Sequence, residues 1–264
     1  MLLAIDIGNT NVVLALLDAE DRVLEERRAP SKDGWTAEQY AAQIRALLCG
    51  RAVRGAAVSS VVPELTGVLS AAAREAAGVT ALVVNSDSPV GLTLAIEQPE
   101  TLGTDILAAD AAAAEEYPLP VIVFDFGTAT TVTVVDEQRR YRGGVILPGI
   151  KLGMQGLFTG TAQLPDIRIE APAHVICTET VESLQAGAVY GAAAMTDGLV
   201  ERMESELGRP CTAVVTGGLG RFVVPHCRRR LVYDEYLLLR GLGMIWRRAQ
   251  GEIHSCGAMG NAVE

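Results

Sequence analysis

Short apolar runs that end in turn residues alternate with amphipathic segments along most of the chain. The runs Leu2 to Asp6, Asn11 to Leu17 and Arg22 to Arg27 are separated by polar turns and predict an antiparallel meander of three strands. Farther along, Thr36 to Gln39 fits a capping box and opens a helical pattern that ends at Gly50. The alternation of strands with helices predicts an α/β protein.

The opening pattern recurs in the middle of the chain. Val121 to Gly127 (VIVFDFG) parallels Leu2 to Gly8 (LLAIDIG), because each is an apolar strand that ends in Asp-x-Gly and each continues into a second β-rich stretch. Helices follow both copies, so we expect a duplicated α/β architecture with a cleft between the halves. The predicted domains are residues 1–117 and 118–250, with residues 251–264 as a flexible tail.

Composition narrows the classes of function. The 264 residues include 22 Lys and Arg and 32 Asp and Glu, and the net charge of −10 argues against a protein that binds nucleic acid through phosphate contacts. No apolar run approaches the ~20 residues of a membrane span, and Asp6 interrupts the apolar start before a signal peptide could form. Five cysteines without a CxxC pair favour a reducing compartment. We therefore expect a cytoplasmic protein with neither nucleic acid nor membrane as a partner.

Two glycine turns follow the two matching strands and suggest a site for a polyphosphate. Glycine lets the backbone approach a phosphate closely because no Cβ intervenes. The carboxylate of Asp6 is a hard ligand that suits Mg²⁺ through bound waters. Each turn alone is equally consistent with an ordinary β-turn, but the matching strands before them favour a phosphate clamp. The first turn consists of Asp6, Ile7, Gly8, Asn9, Thr10 and Asn11, and the second runs from Asp125 to Thr131.

Other nucleotide-binding signatures are absent or weak. The sequence has no GxxxxGK[ST] loop, and no GxGxxG follows the first strand, so neither a P-loop nor a Rossmann dinucleotide site is predicted. Thr216-Gly217-Gly218-Leu219-Gly220 does follow a predicted strand. Gly217 and Gly218 fit a flat backbone surface beside a nucleoside, or a plain connection between a strand and a helix.

Asp105 is the candidate proton acceptor. It follows Gly103-Thr104 and opens an alanine-rich helix, where the positive end of the helix dipole favours an ionised carboxylate. An ionised Asp can orient and deprotonate an attacking alcohol. The competing interpretation is a simple N-cap, which Asp also performs well.

Taken in order, these motifs resemble the type III pantothenate kinases over nearly the whole chain, from residue 2 to about residue 247. That family belongs to the acetate and sugar kinase/Hsp70/actin superfamily. The resemblance implies two duplicated actin-like (ribonuclease H-like) domains around a central cleft. The segments that carry the resemblance are Asp6-Ile7-Gly8-Asn9-Thr10, Gly103-Thr104-Asp105, Asp125 to Thr130, Gly143-Gly144 with Pro148-Gly149, Thr180 to Ser183 and Thr216 to Gly220.

The resemblance implies ATP-dependent phosphorylation of pantothenate to 4'-phosphopantothenate, the first step of coenzyme A biosynthesis. It implies a homodimer that uses ATP, Mg²⁺ and a monovalent cation, K⁺ or NH₄⁺. By the same likeness, Asp6 to Asn11 and Thr128 bind ATP, and Asp105 accepts the proton. Asp125 holds the monovalent cation, and the segment Gly103-Thr104-Asp105-Ile106 together with Thr180 binds pantothenate.

The sequence departs from the family pattern mainly at one segment. The family's Gly-Ala-Asp-Arg reads Gly103-Thr104-Asp105-Ile106, so a fixed positive charge with several donors is missing. An Asn of the preceding loop is Gln98, and a Tyr commonly two residues earlier is Ile96. If that Arg holds an anionic substrate, its loss removes a charged hydrogen bond of about 1.5–3 kcal/mol.

Three hypotheses follow from this pattern. The first is a pantothenate kinase. The second is a small-molecule kinase of the same fold that acts on another hydroxyl substrate, and Ile106 motivates it. The third is a nucleotide-binding paralogue that does not catalyse phosphoryl transfer.

Overall fold

The computed structural model describes residues 1–252, so the predicted flexible tail lies outside the described residues from residue 253 onward. The described chain forms two compact units. Unit 1 contains Met1–Glu116, Arg139–Tyr141 and the segment from Tyr236 onward. Unit 2 contains Tyr117–Gln138 and Arg142–Glu235.

Unit 1 is built on a five-stranded mixed sheet. Its elements up to residue 116 are β1 (Leu2–Ile7), β2 (Asn11–Leu17), β3 (Val23–Pro30), α1 (Ala37–Leu48), β4 (Ala56–Ser60), α2 (Pro63–Ala77), β5 (Ala81–Val83), β6 (Thr93–Leu94), a 3-10 turn (Pro99–Thr101) and α3 (Thr104–Glu116). The strands lie in the order β3-β2-β1-β4-β5. The antiparallel pairs β1–β2 and β2–β3 confirm the predicted meander, while β4 and β5 run parallel to β1. The capping box at the start of α1 is also confirmed.

Unit 2 is built on a second mixed sheet, in which the strands lie in the order β11-β10-β7-β8-β9. Its elements are β7 (Val121–Phe126), β8 (Ala129–Val135), β9 (Arg140–Pro148), α4 (Ile150–Gly160), α5 (Thr180–Leu207), β10 (Thr212–Thr216), α6 (Gly220–Val223), a 3-10 turn (Val224–His226) and β11 (Val232–Tyr233). The start of β9 belongs to unit 1, where Arg140 and Tyr141 pair with β6.

The last helix, α7 (Leu237–Ala249), belongs to unit 1, although its residues fall in the range predicted for the C-terminal domain. It packs against α3 so closely that a Cβ on Gly241 would lie 2.5 Å from the carbonyl carbon of Ala108. The domain ranges 1–117 and 118–250 stay a prediction. The compact units divide the chain differently, because the apolar face of α7 packs against α3.

Both faces of the central strand of unit 1 are covered by helices. Alternate side chains of a strand point to opposite faces of its sheet. Leu3, Ile5 and Ile7 accordingly share one core with residues of α1 and α2, whereas Leu2 and Ala4 share another with α3 and α7. All residues of β1 are buried except Asp6, which is partly exposed. Asp6 is therefore the residue of β1 that solvent can reach.

The two units repeat one topology. In unit 1 the order β3-β2-β1-β4 combines an antiparallel hairpin with a parallel neighbour, and β9-β8-β7-β10 does the same in unit 2. Asp6 pairs with Val13 one residue before the end of β1, and Asp125 pairs with Thr131 one residue before the end of β7. This correspondence confirms the predicted duplication.

Within the described part of the chain, no helix combines the length and the apolar character that crossing a bilayer would require.

Candidate active site

The first glycine turn connects β1 to β2 in unit 1. The N–H of Gly8 donates to the carbonyl of Asn11 at 3.0 Å, and a Cβ at Gly8 would lie only 3.2 Å from that same oxygen. Glycine therefore fits this tight turn better than a residue with a side chain. Asn9 and Thr10 at its tip are exposed.

The end of β4 lies beside this turn, and it also contacts the start of α3. Ser59 is the register partner of Asp6 in the parallel pair β1–β4. Its hydroxyl lies 3.1 Å from that of Thr104, the first residue of α3. The Thr104 hydroxyl also accepts from the N–H of Ser60 at 2.8 Å and donates to the carbonyl of Ser60 at 3.2 Å. Thr104 thus attaches the beginning of α3 to the carboxyl end of β4.

Asp105 follows Thr104 directly and is partly buried. The N–H of Ile106 donates to Asp105 Oδ1 at 2.8 Å. A Cβ on Gly103 would overlap the same oxygen, so the missing side chain at Gly103 leaves room for the carboxylate. Burial raises the pKa of Asp105, and the hydrogen bonds from backbone N–H groups oppose that rise. The loss of solvent therefore has a larger effect on the pKa of Asp105 than these backbone donors have.

Unit 1 thus brings two of the predicted groups to one edge of its sheet. The carboxyl ends of β1 and β4 are neighbours, and α3 begins at the end of β4. In open α/β sheets, ligands bind outside the carboxyl ends of the strands. The turn that begins at Asp6 and the carboxylate of Asp105 both lie there.

The second glycine turn is built in unit 2 around Asp125. Asp125 is flanked by Thr131 of β8 and Thr216 of β10. Gly217 follows β10 with a φ of 82°, and a Cβ there would overlap Asp125 Oδ1 and lie 2.7 Å from backbone atoms of Phe126. Both the positive φ and the close approach require glycine. The carboxylate of Asp125 therefore packs directly against Gly217.

The start of α4 supports the same turn. A Cβ on Gly149 would lie 2.6 Å from the carbonyl oxygen of Gly127 and would overlap that of Thr128. Gly149 is therefore a packing glycine that lets α4 begin directly against the turn. Thr128 and Gly218 are both exposed, as groups that contact a ligand would be.

Thr180 is the exposed first residue of α5 in unit 2. The N-cap position before it is Glu179, whose side chain makes no capping hydrogen bond. The hydroxyl of Ser183 donates to the carbonyl of Glu179 at 2.7 Å, which stabilises the first turn of the helix. Asp6 to Asn11 lie in unit 1 with residues 103–106, whereas Asp125, Thr128, Thr180 and Gly217 with Gly218 lie in unit 2.

Among the described residues, no group of three or more His, Cys, Asp or Glu side chains is arranged to hold a metal ion. Mg²⁺ usually takes one or two carboxylates together with waters and substrate phosphates, and the single carboxylate of Asp6 fits that donor set. The carboxylate of Asp125, which packs against Gly217, is likewise a hard oxygen ligand.

Sequence reasoning missed the two serines that end β4. Ser59 is fully buried, and Ser60 accepts from the hydroxyl of Thr66 at 2.8 Å. Polar residues at the carboxyl end of an apolar strand are the signal that would have indicated them. Their contacts with Thr104 span more than forty positions of sequence, which a local pattern does not reveal.

Comparison with known proteins identifies the family of the chain. A family model described as type III pantothenate kinase matches residues 2–202. The type III pantothenate kinase of Exiguobacterium sp. strain AT1b is 36% identical over 255 residues, which cover 95% of this chain and 100% of that protein. The type III pantothenate kinase of Myxococcus xanthus is 37% identical over 253 residues, which cover 94% of this chain and 98% of that protein.

A solved structure shows the same fold at much lower identity. Component A of the (R)-2-hydroxyglutaryl-CoA dehydratase from Acidaminococcus fermentans matches with a TM-score of 0.54 and 12% identity, covering 95% of this chain and 98% of that chain. The fold is the actin-like one that the resemblance to the type III pantothenate kinases implied. Because the family model matches residues 2–202 and the two relatives align with 95% and 94% of the chain, the chain belongs to the type III pantothenate kinase family.

Proposed function

We propose that the protein transfers the terminal phosphoryl group of ATP to the hydroxyl of pantothenate and forms 4'-phosphopantothenate, the first step of coenzyme A biosynthesis. Family membership supports the reaction, and one juxtaposition supports the site. In unit 1, Ser59 lies beside Asp6 and also contacts Thr104, the residue before Asp105. A turn suited to phosphates and a carboxylate suited to an alcohol therefore share one edge of a sheet.

Asp105 is the proposed proton acceptor. Phosphoryl transfer depends mainly on positioning and on stabilising charge, so the protein's task is to hold the alcohol in line with the phosphorus. A general base works best when its pKa lies near the operating pH, and burial moves the pKa of Asp105 in that direction. We assign Gly103, Thr104 and Ile106, with Thr180, to the binding of pantothenate.

The ATP contacts are assigned to the two glycine turns, Asp6 to Asn11 in unit 1 and Thr128 with Gly217 and Gly218 in unit 2. We assign Mg²⁺ to Asp6 through water and the monovalent cation, K⁺ or NH₄⁺, to Asp125. When bound, these cations offset the negative charge of the phosphates. The carboxylates supply hard oxygen ligands, and the glycines keep the backbone close enough to reach the phosphates.

A homodimer is proposed because unit 2 exposes apolar side chains near one end of α5. Large exposed apolar surfaces commonly mark interfaces. On α4, which packs against α5, Leu152 is 53% exposed and Phe158 is 42% exposed, and Val181 at the start of α5 is 44% exposed. A second copy that covers these residues would lie close to Thr180. The cytoplasmic location stays a prediction.

A coupled assay of ADP release tests the proposed reaction. With ATP, Mg²⁺ and K⁺ present, we expect turnover that depends on added pantothenate, and phosphorus NMR should show the phosphomonoester. ATP binding without pantothenate-dependent turnover would contradict the proposal, and the absence of turnover with any other alcohol as well would favour the non-catalytic paralogue.

A kinase that acts on a less anionic alcohol is a second candidate, and Ile106 favours it because no fixed positive charge follows Asp105. The same assay with pantothenate and with an analogue whose carboxylate is converted to a neutral amide separates the two. A higher kcat/KM for the amide would support the second candidate, and a higher value for pantothenate would support the first.

A further inference from the structure

Ser31, which no motif indicates, holds two carbonyls of the first glycine turn. It follows β3 directly and is partly buried. Its hydroxyl donates to the carbonyl of Gly8 at 2.7 Å, and its N–H donates to the carbonyl of Thr10 at 3.3 Å. Ser31 thus forms two hydrogen bonds with the turn.

The position of Ser31 is itself fixed by the core of unit 1. The preceding residue, Pro30, is the register partner of Asn11 at the end of the β2–β3 pair. The hydroxyl of Tyr40 donates to the carbonyl of Pro30 at 2.7 Å, and the Tyr40 side chain is fully buried in the core formed with α1 and α2. Hydrogen bonds therefore connect the core to the turn, from Tyr40 to Pro30 and from the next residue, Ser31, to Gly8 and Thr10.

The direction of the Gly8 and Thr10 carbonyls determines which backbone groups of the turn face a ligand. In a planar trans peptide, the C=O and the following N–H point in opposite directions. The carbonyls of Gly8 and Thr10 point toward Ser31, so the N–H groups of Asn9 and Asn11 point away from it. Carbonyl oxygens would repel a phosphate, whereas oriented N–H groups attract one.

We propose that Ser31 is a positioning residue for the phosphates of ATP, because it keeps the carbonyls of the turn away from them and the N–H groups toward them. The inference rests on the proposed function, since it takes the turn from Asp6 to Asn11 as the phosphate site. The proposed role is one of positioning, because the contacts of Ser31 are made to the turn itself.

The test compares three variants in steady-state kinetics and in calorimetric binding of a non-hydrolysable ATP analogue with Mg²⁺. S31A removes the hydroxyl, and S31T keeps one. S70A is the matched control, because the Ser70 hydroxyl also donates to a backbone carbonyl, that of Thr66, at 2.7 Å in the same unit but within α2. We expect S31A to raise the KM for ATP and the Kd of the analogue about tenfold, because the variant lacks one hydrogen bond to the turn and one hydrogen bond typically changes an affinity by about that factor.

The remaining readouts separate positioning from general damage. In S31A, the KM for pantothenate and the kcat at saturating ATP should stay near wild type, and S31T should restore the affinity for ATP. Wild-type affinity in S31A, or an equal loss in S70A, would overturn the inference while leaving the proposed function intact. Wild-type protein that does not bind the analogue at all would overturn the proposed function and this inference with it.

Discussion

Replacing Thr104 by Val tests whether the contact between α3 and β4 controls catalysis. The side chain keeps its shape but loses the hydroxyl that lies 2.8 Å from the N–H of Ser60, 3.2 Å from the carbonyl of Ser60 and 3.1 Å from the hydroxyl of Ser59. All three contacts are lost together, and nothing in the glycine turn after β1 is changed.

Two effects of different size are expected. The part-buried N–H of Ser60 is left without this acceptor, which costs about 1–3 kcal/mol of unfolding free energy. The start of α3 is also released from β4, so Asp105 is no longer held in place. Because a displacement of ~1 Å can cost about 100-fold in rate, we expect kcat to fall by roughly 10- to 100-fold. The KM for ATP should stay unchanged.

The assay measures pantothenate-dependent ADP release, together with urea unfolding of each variant. Thr104→Ser is the control, since it keeps the hydroxyl and should retain most of kcat. A Thr104→Val protein that loses stability as expected but turns over at the wild-type rate would refute the reasoning, because Thr104 would then be structural only.

Two further predictions concern stability. Gly241→Ala should lower the unfolding free energy by about 1–3 kcal/mol, since its Cβ would overlap the carbonyl oxygen of Ala108, whereas Gly67→Ala in α2 meets open space and should be neutral or stabilising in urea unfolding. Burial raises the pKa of Asp21 from 3.8 to about 6, so the folded state binds this proton more tightly than the unfolded state does. The Asp21 contribution to stability should therefore be complete below pH 3.8 and be lost as the pH rises through about 6, and Asp21→Asn should remove this part of the pH dependence of thermal unfolding.

Strands and repeats were predictable from the sequence because their signals are local. The strand that ends at Asp6 and the strand that ends at Asp125 are both continuous apolar runs, and each is followed by glycine and then β-branched residues. Such runs fit strands buried on both faces, which is how β1 lies in the structure.

Placements that depend on distant contacts were not predictable. The amphipathic pattern of α7 indicates that the helix has an apolar face, but not that this face packs on α3 in unit 1. The bond between Ser31 and Gly8 and the contact between Ser59 and Thr104 join segments far apart in the chain.

The charge state of Asp105 shows the same limit. Its place at the start of a helix predicts an ionised carboxylate, because local sequence contains the helix dipole. Burial by surrounding elements acts in the opposite direction and raises its pKa, and that burial exists only in the folded chain.

The most direct test of the account is the rate of phosphate transfer to pantothenate in Asp105→Asn, measured beside its affinity for the ATP analogue. A general base contributes about 10²- to 10⁴-fold, so kcat should fall by that factor while the Kd of the analogue stays at the wild-type value. A variant that binds the analogue normally and phosphorylates pantothenate at a near-normal rate would contradict the central claim.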